Sequence, residues 1–234
     1  MPTPIWHRFS DQPSMTSAAT DFIVSVIGSA LGDRQRATLA LAGGKTPIPI
    51  FARLAALHDI DWPRVLAFPA DDRLVDHDDP LSNFGLIRNY LGETGAQILA
   101  LTSEHPRGKA GALAFAQSVA GQLTWPIDLL WLGMGADGHT GSILPGPDFE
   151  RALSPAGDLV AAVTPDPMPV EAPVERLTLS LSGMKASRNV LITVTGATKR
   201  DVLERAIAEG EKSVTAISRV LAALRAPASI YWCP

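Results

Sequence analysis

This sequence has a single cysteine, only a small excess of negative over positive charge and few long apolar runs. Its single cysteine, Cys233, excludes a disulfide framework and a cysteine-rich zinc site, and it indicates a reducing compartment. The 20 basic and 24 acidic residues leave a net charge of −4, so we expect no nucleic-acid partner. Affinity for an anion has to be built locally, from backbone amides and a few cationic side chains.

The longest run without a charged residue does not predict a membrane span. The longest uncharged run, residues 110–127, contains Gln117 and Gln122 and reaches a Trp-Pro pair near its end, so it predicts a helix followed by a loop. Residues 1–8 lack the apolar segment of a signal peptide. We therefore expect no membrane partner and a cytoplasmic location.

Hydrophobic residues are abundant, and their spacing predicts an α/β fold. They make up 46% of the chain against 19% charged residues, which excludes intrinsic disorder. Near-continuous apolar segments predict buried strands at residues 38–42, 65–68, 98–101, 127–132 and 190–195. Helical spacing occurs at residues 16–31, from Pro47 onward, at 198–208 and at 214–224. This alternation predicts a mostly parallel sheet with helices on both faces.

The region after residue 160 has a different pattern. Residues 176–182 alternate strictly, which predicts a strand with one face in solvent or packed against small polar groups. Residues 164–174 contain four prolines and fit either an interdomain linker or a stiff surface loop. Because the flanking segments resemble parts of one sheet system, we favour the loop and expect one domain over residues 1–234.

Ligands of open α/β sheets bind beyond the carboxyl ends of strands, and four strand ends here carry unusual residues. The first has Gly43, Gly44, Lys45 and Thr46 between a strand and a helix. Glycines let backbone amides turn toward an anion and the helix start adds positive partial charge, so a phosphate fits. A tight turn with a threonine cap is the alternative. A Walker A loop is excluded, because its leading glycine would fall at Leu39.

Charged residues follow two other predicted strands. Asp71, Asp72 and Arg73 predict a polar site or, equally, a solvated acidic loop with an internal ion pair. Lys199 lies in the first turn of a predicted helix, where the helix dipole disfavours a cation. A bound anion would offset that cost, and a solvated lysine is the alternative.

The remaining strand end, residues 133–140, carries His139 and, two residues earlier, Asp137. Its literal G-x-G-x-x-G does not fit a dinucleotide site, because Pro145 and Gly146 arrive where a long helix should open. A histidine exchanges protons near neutral pH and predicts acid–base chemistry, with a structural loop histidine as the alternative. The five histidines are scattered without metal-ligand spacing, so we expect no metal site.

Together and in this order, the four segments resemble the 6-phosphogluconolactonase family. Residues 43–47 resemble its Gly-Gly-Ser-Thr-Pro, and residues 71–73 resemble its Asp-Glu-Arg, followed by a histidine and Ser-Asn at His77 and residues 82–83. Residues 132–146 match its most specific motif, Leu-Gly-Met-Gly-x-Asp-Gly-His-Thr-x-Ser-x-x-Pro-Gly, throughout.

The resemblance covers nearly the whole chain, with two departures in the motifs. Residues 176–179 and 195–199 also match the family in place. Lys45 replaces a usual serine, so it either adds a cation near the phosphate or points outward. Asp72 replaces a glutamate, which shortens that carboxylate by one methylene.

The resemblance implies a fold, a reaction and roles for residues. The fold is a Rossmann-like three-layer α/β sandwich. The reaction is hydrolysis of 6-phospho-D-glucono-1,5-lactone, a phosphorylated sugar lactone, to 6-phosphogluconate in the oxidative pentose phosphate pathway. No metal or organic cofactor is needed, because a lactone is already an activated ester.

The same resemblance suggests how the reaction is divided among the side chains. His139 acts as general base on the attacking water and then protonates the ring oxygen, and Asp137 orients His139 or favours its protonated form. Asp71 contacts sugar hydroxyls, while loop amides near Gly44 or Gly135 stabilise the oxyanion. The candidate phosphate ligands are Gly43, Gly44, Lys45, Thr46, Arg73, Arg176 and Lys199.

Two other function classes stay open at this point. Glucosamine-6-phosphate deaminases share the fold, but the glutamate that helps them open the sugar ring aligns with Leu144 here, which cannot exchange a proton. A non-catalytic sugar-phosphate sensor would need an attached DNA-binding or output domain, for which we expect no room in 234 residues.

Overall fold

The computed structural model of the protein describes residues 2–234, which contain ten strands and eight α-helices. The strands are β1 (Ile5–Arg8), β2 (Ala37–Leu41), β3 (Val65–Pro69), β4 (Asp71–Arg73), β5 (Gln97–Ile98), β6 (Ile127–Leu132), β7 (Val160–Val163), β8 (Arg176–Leu179), β9 (Ser187–Thr195) and β10 (Ala228–Cys233). The helices are α1 (Gln12–Arg34), α2 (Ile48–Ala55), α3 (Asn83–Leu91), α4 (Lys109–Gln122), α5 (Phe149–Ala152), α6 (Leu181–Met184), α7 (Ala197–Glu209) and α8 (Ala216–Ala223).

Seven of the strands form one sheet in the order β1-β10-β9-β6-β2-β3-β5, and their pairings are parallel. β6 lies at its centre, and all six of its residues are buried because both faces of the sheet are covered. The predicted parallel sheet is therefore confirmed.

Helices cover both faces of this sheet, as the three-layer prediction requires. α1, α2 and α3 pack on one face around Ile23 and Phe51, whereas α4, α7 and α8 pack on the other around Ala116. Successive residues of β2 divide between the two cores, with Leu39 in the first and Ala40 in the second. This division follows from the alternation of side chains along a strand.

The long helix α1 owes its apolar composition to the first of these cores. It begins after Asp11, whose Oδ1 accepts a hydrogen bond from the Ser14 N–H at 2.8 Å, and it ends where Gln35 adopts a left-handed φ of 62°. By length and composition it is apolar enough to cross a membrane. However, Met15 and Ile23 are fully buried in the core, so packing on the sheet accounts for its hydrophobic side.

A second sheet, the antiparallel β4-β8-β7, was not predicted. The alternation at residues 176–182 extends as a strand only to Leu179, and the expectation of a solvent face is wrong because all four residues of β8 are buried. The alternative, packing against small polar groups, is observed. The Thr178 hydroxyl accepts a hydrogen bond from the Ser142 N–H at 3.2 Å.

Two other expectations are corrected or refined, and two further strands had not been expected. The strand expected at residues 98–101 is reduced to β5, a two-residue edge strand paired with β3 alone. The outer strands β1 and β10 were not predicted. The proline-rich residues 164–174 connect β7 and β8, which pair with each other, so they form a loop within one sheet.

The strand order determines where the predicted site residues meet. β9, β6, β2 and β3 are consecutive neighbours, so their carboxyl ends lie along one edge of the parallel sheet. The segments that follow these four strands carry Lys199, the histidine loop (residues 133–146), residues 43–46 and β4 respectively. The fold therefore brings the four predicted segments together.

Candidate active site

A cavity of about 270 Å³ opens at this edge. Nine of the ten predicted site residues line it: Gly43, Gly44, Lys45, Thr46, Asp71, Arg73, His139, Arg176 and Lys199. The tenth, Asp137, does not line the cavity but contacts the imidazole of His139. Side chains from both sheets thus converge on one space.

The histidine is fixed by its own loop. His139 Nδ1 lies 2.6 Å from Asp137 Oδ1, and the Gly135 N–H donates to the His139 carbonyl at 2.9 Å. The hydrogen bond from His139 is the main cause that lowers the pKa of Asp137 to about 2, so this carboxylate is ionised at neutral pH. An ionised acceptor at Nδ1 favours the tautomer with its proton there, and this leaves Nε2 as the basic nitrogen.

Only glycine fits at position 135. A Cβ on Gly135 would lie 2.3 Å from Nδ1 and Cε1 of His139 and 2.5 Å from Oδ1 of Asp137. The loop is also anchored from outside, because the Ile217 N–H of α8 donates to the Gly138 carbonyl at 3.0 Å. Backbone and side chains of this loop therefore determine the place of the imidazole together.

Residues 43–46 present polar groups to the cavity. Within residues 2–234, the backbone N–H groups of Gly44, Lys45 and Thr46 donate no hydrogen bond to the protein. Gly44 and Lys45 are exposed, and α2 begins two residues after Thr46. Free amides ahead of a helix start suit an anion, as the sequence predicts.

Two arginines face the same cavity from the small sheet. Arg73 and Arg176 are register partners on β4 and β8, and the Nε atoms of both are buried without a hydrogen-bond partner in the described residues. Burial, followed by the charge of Arg73, lowers the pKa of the Arg176 guanidinium, although Asp71 acts in the opposite direction. Two neighbouring cations with unpaired donors form a strong site for an oxyanion.

The two adjacent aspartates have different environments. Asp71 Oδ2 accepts a hydrogen bond of 2.5 Å from the Ser142 hydroxyl, and Asp71 lines the cavity. Asp72 is fully buried and accepts from the backbone N–H groups of Asn83, Phe84 and Arg73, so it holds the start of α3. Burial raises the pKa of Asp72 to about 6 despite these donors.

Some site features were not assigned from the sequence. Asn83 lines the cavity and contacts both Arg73 and Asp71, and Ser142 orients Asp71. Asn83 belongs to the Ser-Asn motif and Ser142 to the motif of residues 132–146, so the family resemblance could have pointed to both. His77, another motif residue, is outside the lining and lies 3.0 Å from the Thr102 carbonyl instead.

The fold and the cavity define an α/β protein with a cationic site and a histidine–aspartate pair at the carboxyl edge of a parallel sheet. A family model described as glucosamine-6-phosphate isomerases/6-phosphogluconolactonase matches residues 10–231, so the chain belongs to this family.

Individual relatives cover nearly all of the chain. The 6-phosphogluconolactonase of Mesorhizobium japonicum is 32% identical over 235 residues, which cover 98% of this chain and 95% of that protein. A crystal structure of a 6-phosphogluconolactonase from Shewanella baltica has a TM-score of 0.90 at 30% identity and covers 99% of this chain and 98% of that one. A monomeric glucosamine-6-phosphate deaminase has a TM-score of 0.79 at 18% identity, covering 98% and 97%, a likeness that shows the fold alone.

Proposed function

We propose that this protein is a 6-phosphogluconolactonase, which hydrolyses 6-phospho-D-glucono-1,5-lactone to 6-phosphogluconate. The observation that carries the proposal is the presence of a histidine–aspartate pair and four cationic side chains at one cavity. The name borne by relatives at 30–32% identity over almost the full chain supports the same activity here. The reaction would need no metal or organic cofactor.

The charge of the cavity suits a phosphorylated ligand. Lys45, Arg73, Arg176 and Lys199 line it, against one carboxylate, Asp71. A phosphate dianion would take hydrogen bonds from the amides of residues 44–46 and charge-assisted hydrogen bonds from these cations. Asp71, with one oxygen held by Ser142, keeps its other oxygen for a sugar hydroxyl.

The histidine supplies the proton transfers. In our proposal, Nε2 of His139 takes a proton from a water molecule as the water oxygen bonds to C1 of the lactone, and the carbonyl oxygen becomes an oxyanion. The oxyanion collapses, the bond between C1 and the ring oxygen breaks, and Nε2 returns its proton to that oxygen. Asp137 accepts from Nδ1 throughout and stabilises the imidazolium that forms between the two steps.

The deaminase alternative lacks a group that its chemistry uses. The position of the ring-opening glutamate in the deaminase motif is occupied by Leu144, which is buried and apolar. This position therefore offers no carboxyl group, and lactone hydrolysis is the reaction that the observed groups support best.

Two assays on the purified protein test the proposal. Proton release after addition of fresh 6-phosphogluconolactone, measured above the spontaneous rate, should rise in proportion to protein concentration. Addition of glucosamine 6-phosphate should release no ammonia. A rate equal to the spontaneous one would contradict the lactonase assignment, and ammonia release would establish the deaminase instead.

A further inference from the structure

Asn83 connects three parts of the cavity wall. Its side chain accepts a hydrogen bond from Arg73 Nη1 at Oδ1 and donates from Nδ2 to the Asp71 carbonyl, both at 2.8 Å. A Cβ on Gly43 would lie 2.0 Å from Asn83 Oδ1, so the amide packs directly on the 43–46 loop. Asn83 is 2% exposed, and its own N–H is held by Asp72 at 2.7 Å.

These contacts leave Arg73 with one free edge. Its Nη1 is engaged by the Leu81 carbonyl and by Asn83 Oδ1, each at 2.8 Å. Nε is buried without a partner, and Nη2 donates no hydrogen bond within residues 2–234. The Nε–H and one Nη2–H bond of a guanidinium are parallel and together match two oxygens of a phosphate or carboxylate.

We infer that Asn83 is a positioning residue, which fixes Arg73 so that its Nε–Nη2 edge receives an oxygen pair of the bound phosphate. This role rests on the proposed function, because it presupposes a phosphorylated ligand in the cavity. Asn83 acts through Arg73, since its Oδ1 is already committed to the guanidinium. Without that acceptor, Nη1 keeps only the Leu81 carbonyl, and the long side chain of Arg73 can turn about it.

A double-mutant cycle measures this coupling. Inorganic phosphate and 6-phosphogluconate are titrated calorimetrically into the wild type, Asn83→Ala, Arg73→Ala and the double variant. Arg73→Ala should weaken phosphate binding about ten- to a hundredfold, the worth of a charge-assisted hydrogen bond. Asn83→Ala should weaken it about tenfold in the wild type and not further in the Arg73→Ala background. In lactone hydrolysis, Asn83→Ala should raise KM and change kcat little.

Two controls separate positioning from support of the helix. Ser82→Ala removes the hydroxyl that accepts from the Gly85 N–H at 3.0 Å, so it weakens the start of α3 without touching Arg73. Asn89→Ala changes an exposed asparagine of the same helix. Both variants should bind phosphate as the wild type does. If Asn83→Ala does not fold, Asn83→Ser replaces it in the cycle, because serine keeps a small polar side chain but lacks the amide oxygen that accepts from Arg73 Nη1.

The outcomes are distinct. Unchanged phosphate affinity in the Asn83 variant, an equal loss in the Arg73→Ala background, or the same loss in Ser82→Ala would each overturn the positioning role. The role is also overturned if the wild type does not bind phosphate or if Arg73→Ala binds it normally. A wild type that binds phosphate but leaves the lactone at its spontaneous rate refutes the proposed function alone, since the binding cycle still measures the coupling.

Discussion

At the residue scale, adjacent and chemically identical side chains carry out different tasks in this site. Asp71 and Asp72 follow one another on β4, where successive side chains point to opposite faces. One therefore faces the cavity with the Ser142 hydroxyl on its carboxylate, and the other is buried beneath the start of α3. The first has an oxygen left for a ligand, whereas the second has its oxygens occupied by backbone amides.

Replacing the histidine should remove the chemistry and spare the fold. His139→Ala should lower kcat about 10²–10⁴-fold, the usual contribution of a general base. Initial rates with fresh lactone, corrected for spontaneous hydrolysis, measure this loss. His105→Ala is the matched control, because this histidine is exposed, pairs with Asp76 and lies outside the cavity lining, so it should keep the wild-type rate. Near-normal turnover in His139→Ala would exclude the proposed base.

Lys199 should contribute through the phosphate alone. Lys199→Ala should lower kcat/KM about ten- to a hundredfold for the phosphorylated lactone, because it removes one charge-assisted hydrogen bond. Hydrolysis of unphosphorylated gluconolactone should be unaffected. The exposed Lys212 provides the control variant, Lys212→Ala, with unchanged kinetics. An equal loss with both lactones would show that Lys199 does not recognise the phosphate.

Side chains at strand ends were predictable from the sequence, whereas the contacts between different segments were not. Gly43, Gly44, Asp137 and His139 could be found because they are polar or glycine residues that directly follow strongly apolar strands. Asn83 has no such local signal, because Ser82 already caps α3, and only its place in the Ser-Asn of the family motif pointed to it. Its contact with Arg73 depends on β4 and α3 folding back on one another, which no local pattern encodes.

At the element scale, the histidine loop has no room for a side chain at position 135. Gly135→Ala places a methyl group 2.3 Å from the imidazole, so His139 must move. A displacement of about 1 Å at a reacting group costs about 10²-fold in rate, and kcat should fall by that order.

Another glycine supplies the comparison for this variant. Gly111 is exposed in α4, and a Cβ there meets nothing within 4 Å. Gly111→Ala should keep the wild-type kcat and raise stability by roughly 0.5–1 kcal/mol in urea unfolding, since alanine favours a helix. Full activity in Gly135→Ala would show that the loop yields more easily than the packing indicates.

The small sheet shows why some elements escape detection from sequence. β4 has three residues, which is too short to display a reliable period, and the alternation at residues 176–182 predicted the strand β8 but not its partners. All of β8 is buried, so its alternation reflects two different buried surroundings rather than a core and a solvent face. By contrast, β6 and β9 have longer apolar runs and were predictable.

At the scale of the whole molecule, one buried carboxylate joins distant parts of the chain. Asp148 accepts hydrogen bonds from Lys109 at 2.7 Å, from Arg151 at 2.8 Å and from the Thr164 N–H at 2.9 Å. It thereby ties α4, α5 and the end of β7 together. Burial acts to raise its pKa, but these donors outweigh burial and lower the pKa of Asp148 to about 2.

Asp148 should make the free energy of unfolding depend on pH in the acidic range. Because its pKa is lower in the folded chain than in the unfolded one, its contribution is complete above about pH 4 and disappears as pH falls toward 2. A shift of this size is worth about 2 kcal/mol. Urea unfolding at pH 7, 4 and 2.5 should show a smaller acid loss for Asp148→Asn than for the wild type.

The exposed Asp59 gives the reference for this measurement. Asp59→Asn should follow the wild-type pH dependence, because this substitution leaves the hydrogen bonds of Asp148 unchanged. If Asp148→Asn and the wild type lose the same free energy of unfolding between pH 4 and 2.5, the network around Asp148 does not carry the expected linkage.

The pair of register-matched arginines has a consequence for the lifetime of the protein. Holding Arg73 beside Arg176 costs folding free energy, because burial and the charge of Arg73 disfavour the charged form of Arg176. An anion that binds only the folded chain removes this repulsion and adds its own binding free energy to stability. Degradation in a cell proceeds from opened states, so the half-life of this protein should lengthen when an anion occupies the site.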